Sequence, residues 1–77
     1  MKHDPDGMNR QRAQWAETAV RAFRAETRSD DCDALADLLC DLMHACDARG
    51  DAPGWHFAMA LAHAEKHYAA ETSARGE

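Results

Sequence analysis

Apolar positions recur along this chain at the spacing of α-helices, in three separate stretches. In the middle stretch they fall every three or four residues, which places them along one helix face: Leu35, Leu38, Leu39, Leu42, Met43 and Cys46. The first stretch groups Trp15, Ala19, Ala22 and Phe23 on an inward face. The third stretch groups Phe57, Ala60, Leu61, Ala64 and Tyr68 in the same way. Nothing alternates with period two, so no strand is predicted.

Polar residues and glycines mark the expected ends of these helices. Ser29 or Asp30 can cap the second helix by accepting hydrogen bonds from its free amides. Gly50 suits the left-handed conformation that ends a helix, and Pro53 is tolerated in the first turn of the next. We therefore predict an all-α fold, a compact three-helix bundle with helices at about 9–28, 30–49 and 53–72. Residues 1–8 are expected to form a disordered lead-in, residues 9–72 a single domain and residues 73–77 a frayed tail.

The length of 77 residues limits how much core this domain can build. A domain of this size buries only about 60% of the surface that its unfolded chain exposes. Alanine supplies much of the apolar fraction, and each alanine buries little area. We therefore expect a homodimer in which the second copy adds to the core.

The formal net charge of −5 narrows the classes of partner. Nucleic acids and anionic membranes both require Lys and Arg to neutralise phosphate, so neither is expected. A partner protein or complex with a basic surface suits this charge. The first ten residues have no apolar core, which argues against a signal peptide. Three cysteines without pairing spacing favour reduced thiols and a cytoplasmic location.

The acidic charge is concentrated in residues 29–51, which contain seven aspartates and one arginine. Asp33, Asp37 and Asp41 recur every fourth residue, opposite the leucines, and Asp47 adds a carboxylate six residues further on. One interpretation is a solvated face that keeps a small protein in solution. Another is a recognition surface for Arg and Lys of a partner. Hard-cation binding is a third, although it requires several converging oxygens.

Two pairs of zinc-type ligands give an alternative site. Cys40 and His44 are four residues apart on the second helix, and His63 and His67 have the same spacing on the third. Antiparallel helices could join the pairs in a tetrahedral zinc site. The first pair, however, points away from the leucines, and boundary histidines explain the second pair as well. No cofactor and no catalytic residue is therefore assigned.

Trp55 lies across the third helix from Phe57 and Leu61. It either packs under the preceding connector or serves as an exposed anchor for a partner, a role in which Trp is enriched.

The segment "ALADLLCDLMHACDARG", followed by "FAMALAHAEKHYAAE", resembles short uncharacterised helical proteins of bacterial prophages and conjugative elements. The resemblance covers about residues 30–72. It implies an accessory role, such as modulation of host machinery or host defence, and it implies no catalytic residues.

The same helix–Gly–helix run is also similar to the second half of MazG-like all-α nucleotide pyrophosphohydrolases. That family binds Mg²⁺ through paired acidic motifs on facing helices. Only Asp37 and Asp41 could stand in for one motif here, at a spacing one residue too long, and the first helix has no E-x-x-E.

The sequence therefore favours a non-enzymatic module that inhibits or modulates a host complex, an anti-CRISPR protein being one such type. Its partner-binding residues are predicted to be Asp33, Asp37, Asp41, Asp47 and Trp55. The alternatives are a pyrophosphohydrolase half-site completed by dimerisation and a zinc-stapled regulatory module.

Overall fold

The computed structural model describes residue 4 and residues 7–73, which form three helices joined by short connectors. α1 spans Asn9–Thr27, α2 spans Asp31–Arg49 and α3 spans Phe57–Thr72. No strand occurs in these described residues. The predicted all-α three-helix bundle is confirmed. Most of the predicted lead-in and tail, namely residues 1–3, 5–6 and 74–77, lies outside the described residues.

The corner between α1 and α2 is built around Arg24 and Arg28. Arg28 adopts a left-handed conformation with φ of 62°, and its N–H donates to the Arg24 carbonyl oxygen at 2.8 Å, which ends α1. The Arg24 guanidinium then crosses the corner. Its Nε donates to the Ser29 carbonyl at 3.1 Å, and its Nη1 lies 3.3 Å from Asp31 Oδ1.

Of the two predicted capping residues, Ser29 and Asp30, the structure has Asp30 at the N-cap position of α2. Its carboxylate makes no capping hydrogen bond. The Asp30 backbone carbonyl accepts the Asp33 N–H at 3.0 Å instead. The Ser29 hydroxyl also does not cap the helix, because it donates to Asp37 Oδ2 two turns further on. Asp31 and Asp33 in the first turn complement the positive end of the helix dipole.

α3 begins at Phe57, four residues later than predicted, because Pro53 belongs to a turn. The Trp55 N–H donates to the Ala52 carbonyl at 3.1 Å, and Gly54 has φ of 82°. Pro followed by a glycine of positive φ is typical of a type II turn, which keeps the chain out of the helix. Gly50, with φ of 61°, ends α2 where the sequence predicted.

The core of the described residues consists of one buried side chain, Ala34, which is 1% exposed. Leu38 and Ala45 lie on the same side of α2 and are half-buried. We define Ala34, Leu38 and Ala45 as the contact line of α2. The expectation that the leucine stripe faces inward was wrong for most of its members. Leu35 is 66% exposed, and Leu39, Leu42 and Met43 are also exposed.

The other two helices show the same displacement of their contact faces. On α1, Val20 and Phe23 are half-buried, whereas Trp15 is 59% exposed and does not face the core as expected. On α3, Phe57 is half-buried, but the rest of its expected inward face is exposed: Ala60, Leu61, Ala64 and Tyr68. Helices that meet along small residues approach closely while burying little apolar area.

The end of α3 is tied to the start of α1 by polar contacts. Asn9 Nδ2 donates to the Glu71 carbonyl oxygen at 2.9 Å, and Arg12 Nε lies 3.4 Å from Glu71 Oε2. A residue before α1 also bonds to its first turn: the Asp4 carboxylate accepts a hydrogen bond from the Asn9 N–H at 3.2 Å. The contacts with Glu71 join α3 to α1, while α3 also packs against α2.

Enlarging Ala34 tests the contact line. Ala34→Leu is expected to lower the free energy of unfolding by about 1–3 kcal/mol, because a larger side chain forces α1 and α2 apart. Ala36→Leu is the matched control on the exposed side of α2 and should change stability by less than about 0.5 kcal/mol. Urea unfolding followed by circular dichroism measures both, and equal effects would contradict the assigned contact line.

Arg28→Gly tests the left-handed residue that ends α1. Glycine adopts this φ without the steric cost that a Cβ imposes, so the variant should gain up to about 1 kcal/mol of stability. Arg28→Ala removes the same charge but keeps the Cβ, and it should show no such gain. A gain of the same size in both variants would assign the effect to charge instead.

Candidate protein-binding surface

The surface of α2 is divided into two flanks that lie on either side of the contact line. We call Asp33, Asp37, Asp41 and Asp47 the acidic flank, and Leu35, Leu39, Leu42 and Met43 the leucine flank. The helical step of about 100° per residue separates the two sets, and the contact line lies between them on a helix that packs against both α1 and α3. One helix therefore presents two chemically different surfaces.

Every carboxylate of the acidic flank is exposed. Asp37 accepts a hydrogen bond from the Ser29 hydroxyl and so belongs partly to the α1–α2 corner. Within the described part of the chain, the carboxylates of Asp33, Asp41 and Asp47 have no hydrogen bond or ion pair. Ionised carboxylates only accept hydrogen bonds, so this flank is chemically suited to the donors of Arg and Lys.

Asp47 and Trp55, two of the predicted site residues, come together at the junction of α2 and α3. Both line an open cavity of about 390 Å³ that also includes Met43 and Phe57. Trp55 is half-buried, and the guanidinium carbon of Arg49 lies 3.6 Å from the centre of its ring system. A cation over the face of a Trp ring is attracted to it electrostatically. This groove combines a carboxylate with apolar and aromatic surface.

The candidate zinc ligands are not assembled into one site. Cys40 and His44 are exposed on α2, and His63 and His67 are exposed on α3 with their ring centroids 6.2 Å apart. No three or more His, Cys, Asp or Glu side chains form a metal-binding group within residues 7–73 and Asp4. His56, His63 and His67 instead line an open groove of about 470 Å³ along α3, together with Met59.

The carboxylates that a MazG-like half-site requires are likewise not assembled into one site within the described residues. Asp37 and Asp41 lie on one helix, and no acidic set on a facing helix converges on them within the described residues. A second copy would therefore have to supply the missing carboxylates.

All three cysteines, Cys32, Cys40 and Cys46, are free thiols.

Sequence reasoning missed two features of this surface. The leucine flank was assigned to the core, although Ala34 and Ala45 sit at positions that allow close helix contact and signal the contact line. The Arg49–Trp55 stack depends on the turn at Pro53 and Gly54, which brings the ring back against the end of α2. Charge and spacing gave no signal for that stack.

Comparison with known proteins gives no family for this chain: no protein-family model, no curated protein and no solved structure matches it. Among the residues that the structure describes, no helix has the length and apolar character needed to cross a lipid bilayer.

Arg49→Met is expected to uncover Trp55. The substitution keeps an extended apolar side chain but removes the cation, so it should cost up to about 1 kcal/mol of stability. In a Trp15→Phe background, acrylamide quenching of the remaining Trp fluorescence should increase. Arg49→Lys retains the charge and should give an intermediate result. Unchanged quenching in Arg49→Met would show that the stack does not shield the ring.

Proposed function

We propose that this chain is a non-enzymatic protein-binding module that occupies a basic surface of a host protein or complex through the acidic flank of α2. The observation that carries the proposal is the set of exposed carboxylates on that flank, of which Asp33, Asp41 and Asp47 have no partner in the described residues. Occupation of a functional groove is sufficient to inhibit a larger assembly without any reaction.

The spacing of the acidic flank supports recognition of a basic groove. Carboxylates four residues apart on an α-helix are separated by about 6 Å along its axis. Charges on one DNA strand are about 3.4 Å apart along the helix axis, so the flank carries about half that linear charge density. A groove lined with Arg and Lys that accepts a nucleic-acid backbone could accept this helix instead.

Charge alone does not supply high affinity, because exposed ion pairs contribute only about 0–1 kcal/mol each. The groove that joins Asp47 to Trp55 provides the apolar contact that such an interface also needs. Trp is among the residue types most enriched in the side chains that dominate interfaces, and Trp55 lies in this groove. We assign the long-range attraction to the acidic flank and the short-range contact to this groove.

The resemblance to proteins of prophages and conjugative elements makes host-defence complexes, including CRISPR effectors, the first partners to test. In this proposal the chain is an inhibitor or modulator encoded by a mobile element, and its site of action is the bacterial cytoplasm.

Charge reversal on the acidic flank tests the proposal. We expect the wild-type chain to retain a stoichiometric partner from a bacterial lysate, and Asp41→Lys/Asp47→Lys to lose at least about tenfold in affinity, or about 1.4 kcal/mol. This pair is preferable to one with Asp37, which accepts the Ser29 hydrogen bond, or with Asp33, which lies in the first turn of α2. Raised salt should weaken wild-type binding.

The matched control is Glu17→Lys/Glu65→Lys, which changes the net charge equally at exposed positions on α1 and α3. It should retain the partner, and circular dichroism should show unchanged helix content in both variants. Equal loss in both would reduce the effect to net charge, and binding that survives the Asp41/Asp47 reversal would remove the acidic flank from the interface.

A further inference from the structure

The isolated chain exposes much more surface than a folded protein of its mass normally does. Its accessible surface is 6421 Å², whereas the usual scaling gives about 4,700 Å² for 8.5 kDa. The excess of roughly 1,700 Å² is a total over all 77 residues, those outside the described range included, and a standard interface buries roughly 800 Å² from each partner. The radius of gyration of 14.5 Å also exceeds the roughly 11.5 Å expected for 77 residues.

The leucine flank holds more exposed large apolar side chains than either of the other two helices. Leu35, Leu39, Leu42 and Met43 are 66%, 41%, 37% and 51% exposed, and all four belong to α2. Leu35, Leu39, Leu42 and Cys46 are spaced by four, three and four residues. Alternation of four and three is the seam pattern of two helices that pack along their length.

The charges beside this seam favour one orientation of a partner helix. Asp31 and Arg49 are the first and last residues of α2, and they lie on the same side of the helix because 18 residues make about five turns. Two parallel copies of α2 would bring Asp31 against Asp31 and Arg49 against Arg49. Two antiparallel copies would bring Asp31 of one against Arg49 of the other at both ends.

Both residues remain available for such a pair. Asp31 is 88% exposed although it contacts Arg24. Arg49 is exposed, and its guanidinium carbon lies 3.6 Å from the centre of the Trp55 ring. A guanidinium that stacks on an aromatic ring keeps its edge N–H groups available to a carboxylate. The aspartates of the acidic flank lie on the other side of α2, so they stay outside this interface.

We propose that the leucine flank binds the leucine flank of a second copy of this chain, with the two α2 helices antiparallel. Leu39 then packs against Leu42 of the other copy, Leu35 packs against its Cys46, and the twofold axis passes between residues 40 and 41. The dimer carries two acidic flanks that face outward in opposite directions. This inference does not rest on the proposed function, although Met43 and Cys46 of this side of α2 also line the groove that contains Trp55.

Sedimentation equilibrium across a wide concentration range tests the assembly. The wild-type chain should have twice the 8.5 kDa mass of one copy. Leu35→Lys/Leu39→Lys should dissociate it, shifting the mass towards that of one chain. Met59→Lys/Leu61→Lys is the matched control on exposed apolar positions of α3 and should remain dimeric. A wild-type mass of one chain, or dissociation by the α3 pair alone, would overturn the proposal.

Disulfide trapping tests the orientation and does not depend on the folding of the lysine variant. In a Cys32→Ala/Cys40→Ala background, Leu35→Cys should form an intermolecular disulfide with native Cys46. The two positions are about 16 Å apart on one helix, too far for an intramolecular bond. Addition of Cys46→Ala should abolish the covalent dimer. Efficient cross-linking through the thiols at position 35 alone would show parallel helices, and no cross-linking with either thiol set would place the dimer contact elsewhere.

Discussion

The arrangement of the three helices depends on the packing of α2 against its neighbours along the contact line. Ala34 is the most buried side chain among the described residues, with 1% of its surface exposed. A methyl side chain lets two backbones come together but removes little apolar surface from water. The larger apolar side chains consequently remain outside, and the marginal stability expected of a domain this small is not relieved within one chain.

Polar contacts at the ends of the helices connect them in addition to the packing along the contact line. Arg24 connects the end of α1 to the start of α2, and Glu71 connects the end of α3 to the first turn of α1. These groups are partly exposed, so each contact contributes little free energy but restricts how the helices can be arranged. The architecture is therefore specified by connectors and corners as much as by its core.

The helices were predictable because the apolar spacing, Asp30 and Gly50 are local signals, and the ends of α2 agree closely with them. The start of α3 was not predictable, because the sequence Pro53-Gly54 is compatible both with a β-turn and with the first turn of a helix. The choice of contact face also could not be read from periodicity. A helix with leucines over a wide sector offers several faces, and packing against the other helices buried the face that carries Ala34 and Ala45. The acidic flank was predictable as exposed carboxylates, whereas the meeting of Asp47 with Trp55 required the geometry of the connector.

The four-residue spacing of the acidic flank has a consequence for the stability of the chain itself. Like charges at this spacing destabilise a helix by about 0.2–0.5 kcal/mol per pair, and Asp33, Asp37 and Asp41 form two such pairs. Any cationic surface that neutralises them relieves this repulsion and stabilises α2. A cationic ligand of the acidic flank would thereby couple its own binding to folding, because it would stabilise the native state relative to the unbound chain.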